Sequence, residues 1–261
     1  MNKFLKMIRD CYPIVVLMLG IFFIFIPLPM FVIEVLLVLD YMLALFLFWL
    51  KTSCGNEKLL FYARFVISFC LLTCGIMIST LRTFLTIKDI ESQLPIVRII
   101  GTWICRENIV CGFFTTLLLC GALILFCKLF LSRHAKIGSC YCFDAMNTKL
   151  FNIDNLYNNN LITEEEANCK KEAVRKNVDY FSSMDGAIQY FTGTIEAFMA
   201  MYIIEIVGGF ALGMIELKLT WQEALWQYVM LSTGYLVLFT IPIFIVGLTL
   251  RVEKSQFNKG F

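Results

Sequence analysis

Six apolar stretches of 14 to 29 residues, each continuous rather than alternating, constrain this chain more than any motif in it. They cover residues 13–26, 30–50, 59–87, 109–131, 195–217 and 224–250. A hydrocarbon layer offers no water to an exposed peptide group, so a chain crosses it as helices or as a closed barrel, and unbroken runs read as helices. With 59% hydrophobic residues, 25 Phe and only 16% charged residues, the apolar surface exceeds what a soluble core of 261 residues hides. The expected fold is therefore all-α: a polytopic membrane protein of about six transmembrane helices, with a small helical cytoplasmic loop domain between helices four and five. The expected division is residues 1–131 for the first four helices, 132–193 for the loop, 194–251 for the last two helices and 252–261 for a tail.

The first run follows Lys3, Lys6 and Arg9 and resembles the start of a secretory signal, but no small-residue cleavage site comes after it. Instead Ile26-Pro27-Leu28-Pro29 makes a rigid turn into the second run, and the two read as a hairpin. Arg64 marks the inner end of the third run, and Ser79-Thr80-Leu81-Arg82 the outer end. Residues 88–107 read as a short polar connection of mixed charge. Lys and Arg concentrate in the N-terminal tail, in residues 51–64, around the large loop and in the C-terminal tail, while the Pro27–Pro29 turn has no charge. That bias predicts both termini and the large loop in the cytoplasm.

Three acids fall inside the apolar runs, away from the first and last two residues of each: Glu34, Asp40 and Glu205. A charged side chain at mid-membrane costs about 2.5–3.5 kcal/mol on insertion scales, so it faces a partner or water. Two readings follow: a protonated or paired carboxyl in a helix bundle, or a part in moving ions or protons. Gly208 and Gly209 follow Glu205, and Gly209 with Gly213 forms a small-xxx-small pair that admits a second helix closely. In the last run, Pro242 removes an N–H, frees a carbonyl one turn back and bends the helix.

The hydrophilic segment of residues 133–193 is too long for a turn and predicts a folded unit at the membrane surface. Asn158-Asn159-Asn160 is a breaker, and Thr163 with Glu166 forms a capping box for the helix that follows. Glu164, Glu165 and Glu166 in the first turn, with Lys170, Lys171, Arg175 and Lys176 later, suit the helix dipole. Glu166–Lys170 and Glu172–Lys176 are i,i+4 pairs, and Ala167, Val174, Val178 and Phe181 form an apolar stripe that docks on the rest of the loop.

The 11 Cys are an odd number without framework spacing, which argues against a disulfide scaffold. Cys140 and Cys142, with His134 and Cys169 in the same loop, lack a second half-site of zinc-ligand spacing, so no metal is expected. One His, no phosphate-cradling Gly-rich loop and no nucleophile motif predict no enzyme, no cofactor and no nucleic-acid partner.

The loop blocks Phe143-Asp144-Ala145-Met146, Ile153-Asp154, Leu161-Ile162-Thr163-Glu164-Glu165-Glu166-Ala167, Asp179-Tyr180-Phe181 and Ser183-Met184-Asp185-Gly186-Ala187 resemble the cytoplasmic loop of the FHIPEP family. These are the large export-gate subunits of flagellar and virulence type III secretion systems, in FlhA-like and SctV-like branches. The likeness extends to Ile26-Pro27-Leu28-Pro29, Ser79-Thr80, Val207-Gly208-Gly209 and Ile241-Pro242, in the same order and over nearly the whole chain. It implies a subunit of a homo-oligomeric ring, nine-fold in the family, in the bacterial inner membrane beside other export-gate subunits. There it would couple the proton-motive force to the passage of exported proteins. By position, Asp154 matches an acid that matters for that coupling, and Asp144, Lys149, Asp185 and Gly186 match other recurrent loop positions.

The departures are specific. The family's Pro-Gly-Lys-Gln is Asn147-Thr148-Lys149-Leu150 here, and the second acid of its Ile-Asp-Ala-Asp run falls on Leu156. Its Gly-Asp-Gly of span six is Gly234-Tyr235-Leu236, and its span-three arginine and asparagine fall on Leu72 and Ile76, with Arg82 displaced by one. Asp40 and Glu205 stand where the family commonly has asparagine. Family members continue with two more spans and a large cytoplasmic docking domain, so residues 1–261 are expected to be a fragment, a truncated product or a degenerate paralogue. Three functions compete: an export-gate component, a structural paralogue that assembles without conducting protons, and a small ion or solute transporter using Glu34, Asp40 and Glu205.

Overall fold

In the computed structural model the described residues are 15–16, 18–23, 25–26, 28–53, 62–86, 95–106 and 108–250. They form helices and turns, with no strand among them. The helices are α1 Met30–Ser53, α2 Tyr62–Thr86, α3 Pro95–Cys105, α4 Ile109–Leu125, α5 Arg133–Asn158, α6 Glu164–Ile215 and α7 Trp221–Thr249. A π-helical segment, Phe126–Ser132, joins α4 to α5. Five helices are long and apolar enough to cross a membrane: α1, α2, Ile109–Ser132, α6 and α7. Of the first expected span, residues 18–23 are helical and pack on α2, where Gly20 lies beside Gly75 and the Leu71 carbonyl. The basic tails and Pro27 lie outside the described residues.

Helix α7 is the hub, touching α1, α3, α4 and α6. Helix α1 buries one stripe, Ile33, Leu37, Asp40, Ala44 and Leu47, and turns most of its other residues outward. That spacing of three and four is one face of a helix packed against a bundle, with the rest apolar enough for lipid. Pro242 sits inside α7, and the carbonyl it cannot bond, that of Leu238, instead accepts a hydrogen bond from the Tyr41 hydroxyl of α1 at 2.6 Å. The cost of a proline in the hub helix is thus met by a neighbour's side chain.

Small residues set the closest approaches. A Cβ on Gly209 would run into the Tyr228 ring, and one on Gly213 would lie 2.8 Å from the same ring, so this pair admits α7. Gly208 points elsewhere, to Leu85 of α2. At the opposite end, Lys51 donates to the Tyr180 hydroxyl at 3.1 Å and lies 5.5 Å from the centroid of the Tyr62 ring, tying the end of α1 to α2 and α6. The Tyr62 hydroxyl in turn bonds Thr249 of α7.

Two expectations change in form. Residues 88–107 are more than a polar connection, because they contain α3, whose Val97, Gly101 and Cys105 are buried. The six charges of that stretch mask an apolar recurrence every four residues, which is the helical signal. The loop is a hairpin of two long helices, each running on from a membrane span, rather than a separate compact unit. Helix runs through 131/132 and 193/194, and Tyr180, Met184, Ile188 and Phe191 share a buried cluster with Tyr62, Val66 and Val246. No proline occurs between Pro95 and Pro242, and a change from apolar to polar side chains does not by itself break a helix.

Candidate functional site

The turn of the hairpin is built locally. Asn159 and Asn160 end α5, Asn160 adopting φ 55°, a left-handed conformation that asparagine tolerates better than most residues. Thr163 then caps α6: its Oγ1 accepts from the Glu166 N–H at 3.3 Å, while Glu166 Oε2 accepts from the Thr163 N–H at 3.1 Å. Ala167, Val178 and Phe181 are buried along α6, and Ile153 along α5, so the two helices zip together on their apolar stripes. Lys176 pairs with Glu172 at 2.8 Å, whereas Glu166 is engaged in the cap.

That geometry brings Asp154 of α5 to Lys171 of α6, Nζ to Oδ1 at 2.5 Å. Asp154 is half exposed and Lys171 a third, so water reaches the pair. An exposed ion pair contributes about 0–1 kcal/mol, so this clasp is a marginal addition to the apolar contact between the helices. The hairpin rises from the π-helical segment, where Lys128 pairs with Glu196 of α6 at 2.8 Å. π-Helical turns are irregularities in the hydrogen-bond ladder that recur at functional sites.

The other loop positions do not converge on Asp154. Asp144 is exposed on α5, and Lys149 is half-buried. Asp185 lies 14 residues beyond Lys171, about 21 Å along the same helix. Its Oδ2 accepts from Gln189 at 3.2 Å, and its Oδ1 is buried without a partner among the described residues. It stands beside an open groove of about 490 Å³ between α2 and α6, lined by Cys70, Cys74, Gly186, Gln189, Gly193 and Thr194 among others.

The intramembrane acids separate as well. Glu34 is exposed on the outside of α1. Asp40 is fully buried between α1 and α2, its Oδ1 accepting from the Thr73 hydroxyl at 2.8 Å and its Oδ2 without a partner among the described residues. Glu205 is buried and lines a cavity of about 10 Å³ together with Met77, Phe198, Tyr202, Tyr235 and Phe239. Tyr235 and Glu205 therefore face one small cavity from α7 and α6.

Sequence reasoning missed Lys171, Thr73 and Tyr41. Each completes a contact with a residue at least 17 positions away, and only charge complement hinted at Lys171. Cys140 and Cys169 are exposed, the side chains of His134 and Cys142 lie outside the described residues, and no three His, Cys, Asp or Glu gather for a metal among those described.

Comparison with known proteins gives a single family. The FHIPEP family pattern matches residues 20–252. The chain is 26% identical over 259 residues to the flagellar biosynthesis protein FlhA of Bacillus subtilis (strain 168), covering 97% of this chain and 38% of that protein. It is 27% identical over 175 residues to the hypersensitivity response secretion protein HrpI of Pseudomonas syringae pv. syringae, covering 67% of this chain and 25% of the relative. It is 25% identical over 250 residues to the low calcium response locus protein D of Yersinia pestis, covering 95% and 35%. The chain thus spans roughly a third of the length of these relatives. No solved structure matches it.

Proposed function

The chain belongs to the FHIPEP family, and we propose that it supplies the membrane-embedded part of a type III protein-export gate, in which the α5–α6 hairpin responds to the proton-motive force. In this reading the N-terminus, the hairpin and the C-terminal tail are cytoplasmic in the bacterial inner membrane. Copies of the chain assemble as a ring, nine-fold as the resemblance implies, with other gate subunits and around the exported proteins. It acts without catalytic chemistry. The spans up to residue 131 and from residue 194 hold the bundle, and residues 132–193 carry the response.

The observation that carries this reading is the Asp154–Lys171 pair, which ties together two helices that run without a break out of the membrane bundle. Losing an ion pair this exposed loosens a marginal clasp between the two helices. Helices continuous with their spans transmit the release as a change of splay at the π-helical segment, a two-state element of the kind such switches need.

A structural paralogue is the competing reading, favoured by Tyr235 standing where the family carries an acid. One experiment separates them. Asp154→Asn, Asp154→Lys and the exchange Asp154→Lys with Lys171→Asp are placed in the gene at its native locus, and secreted protein is measured. The gate reading expects Asn to lower export, Lys to lower it further and the exchange to recover part of the loss. Export unchanged in all three, with the protein inserted normally, supports the paralogue.

A further inference from the structure

We infer that α3 is a half-membrane helix, lying within the bilayer beside α7 from mid-depth at Val97 to a reversal at Arg106 near the Trp221 end, with its free face in contact with lipid acyl chains.

Depth is the first observation. A Cβ on Gly234 would run into the Val97 carbonyl oxygen, and one on Gly101 into the Met230 carbonyl oxygen, so α3 and α7 lie backbone against backbone. Gly234 stands 13 residues past Trp221 in the 29-residue α7, about 20 Å from that end of the helix. A helix that long exceeds the roughly 30 Å hydrocarbon core, so its middle, where Val97 lies, is at bilayer depth.

Direction is the second. α2 finishes where Phe84 packs edge-on against both Tyr228 and Tyr235, at 5.6 and 5.7 Å between centroids. α4 starts at Asn108, whose side chain accepts from the Val110 and Cys111 N–H groups. By Thr116 that helix is level with Thr233 of α7, hydroxyl to hydroxyl at 3.2 Å. α3 therefore runs out of mid-depth toward the Trp221 end of α7, and α4 starts back from that end. Arg106, at φ 43°, makes the reversal, and Gly112 receives the Cys105 sulfur so that α3 and α4 pack closely.

Surface chemistry is the third. Val97, Gly101 and Cys105 are buried, while the opposite face carries Ile96, Ile99 and Trp103, exposed by 59%, 66% and 73%. Thr102 satisfies its hydroxyl within the helix, donating to the Arg98 carbonyl at 2.9 Å, and Arg98 flanks the apolar face with a stem long enough to carry its charge toward water. This face continues the exposed apolar face at the start of α4, Val110, Phe113, Phe114 and Leu117, which belongs to a membrane span. Lipid is the occupant that matches both the depth and that continuity.

The test uses Trp103 as a reporter. The full chain with Trp49, Trp221 and Trp226 replaced by Phe is reconstituted in phosphatidylcholine vesicles, with and without brominated acyl chains, and its fluorescence is titrated with iodide. Strong quenching by the brominated chains with little by iodide is the expected result, and Gly234→Leu, which undocks α3, should raise the iodide-accessible fraction. Dominant iodide quenching would place the face in water. Quenching by neither would place it under protein, and either result overturns the inference. Should the triple replacement fail to fold, the wild type is compared with Trp103→Phe: loss of part of the lipid-quenched emission supports the inference, and no change contradicts it.

Discussion

At the scale of single residues, the Tyr41 hydroxyl and the Leu238 carbonyl show how a bundle of this kind absorbs a proline. Tyr41→Phe removes the donor and leaves a buried carbonyl unpaired, with an expected loss of about 1–3 kcal/mol in thermal unfolding of the purified protein. Combined with Pro242→Ala, which restores the N–H one turn on, the loss should be smaller than the sum of the two single effects, and strict additivity would sever the link between them. For Asp154 and Lys171 the same kind of cycle should return less than about 1 kcal/mol of coupling, reduced by added salt. Legibility here follows sequence distance. The Thr163–Glu166 box was readable because its members lie three apart, and Asp40 was conspicuous as an acid among apolar neighbours. Its partner Thr73, 33 residues away on another helix, left no local trace.

Among elements, glycines sort by what faces them. Gly209→Ala should disrupt the α6–α7 contact through collision with Tyr228, while Gly193→Ala, whose Cβ would meet nothing within 4 Å, should leave unfolding temperature nearly unchanged. Equal effects at the two positions would contradict the packing described. Thr163→Ala removes one side of the capping box, costing about 1 kcal/mol locally, and should speed proteolysis at the Asn158–Ile162 turn while leaving the membrane bundle protected. The long helices themselves were legible in their apolar runs, and five are long and apolar enough to span. Helix α3 was hidden because charge counting averages over its one apolar face, and the continuity of α4 into α5 was hidden because a change of polarity looks like an end. Helical periodicity survives that change, as Ile153, Val178 and Phe181 show by being buried at helical positions in a polar region.

For the whole molecule, the arrangement is a hub helix, α7, packed by α1, α3, α4 and α6, with two spans prolonged as a hairpin whose apolar contact carries a marginal ion pair. The buried acids Asp40 and Glu205 sit in the bundle, at different contacts from each other and apart from Asp154, so hairpin and bundle are separable by mutation. Glu34→Gln, on an exposed face, should leave assembly and export intact, whereas Asp40→Leu discards the Thr73 contact and should lower thermal stability. Whether the hairpin responds to the proton-motive force is decided by measuring protein secretion while a protonophore is titrated into cells carrying wild-type or Asp154→Asn chain. Export by the wild type should fall steeply as the proton-motive force declines, and Asn should both lower export and flatten that dependence; identical curves for the two would rule the response out.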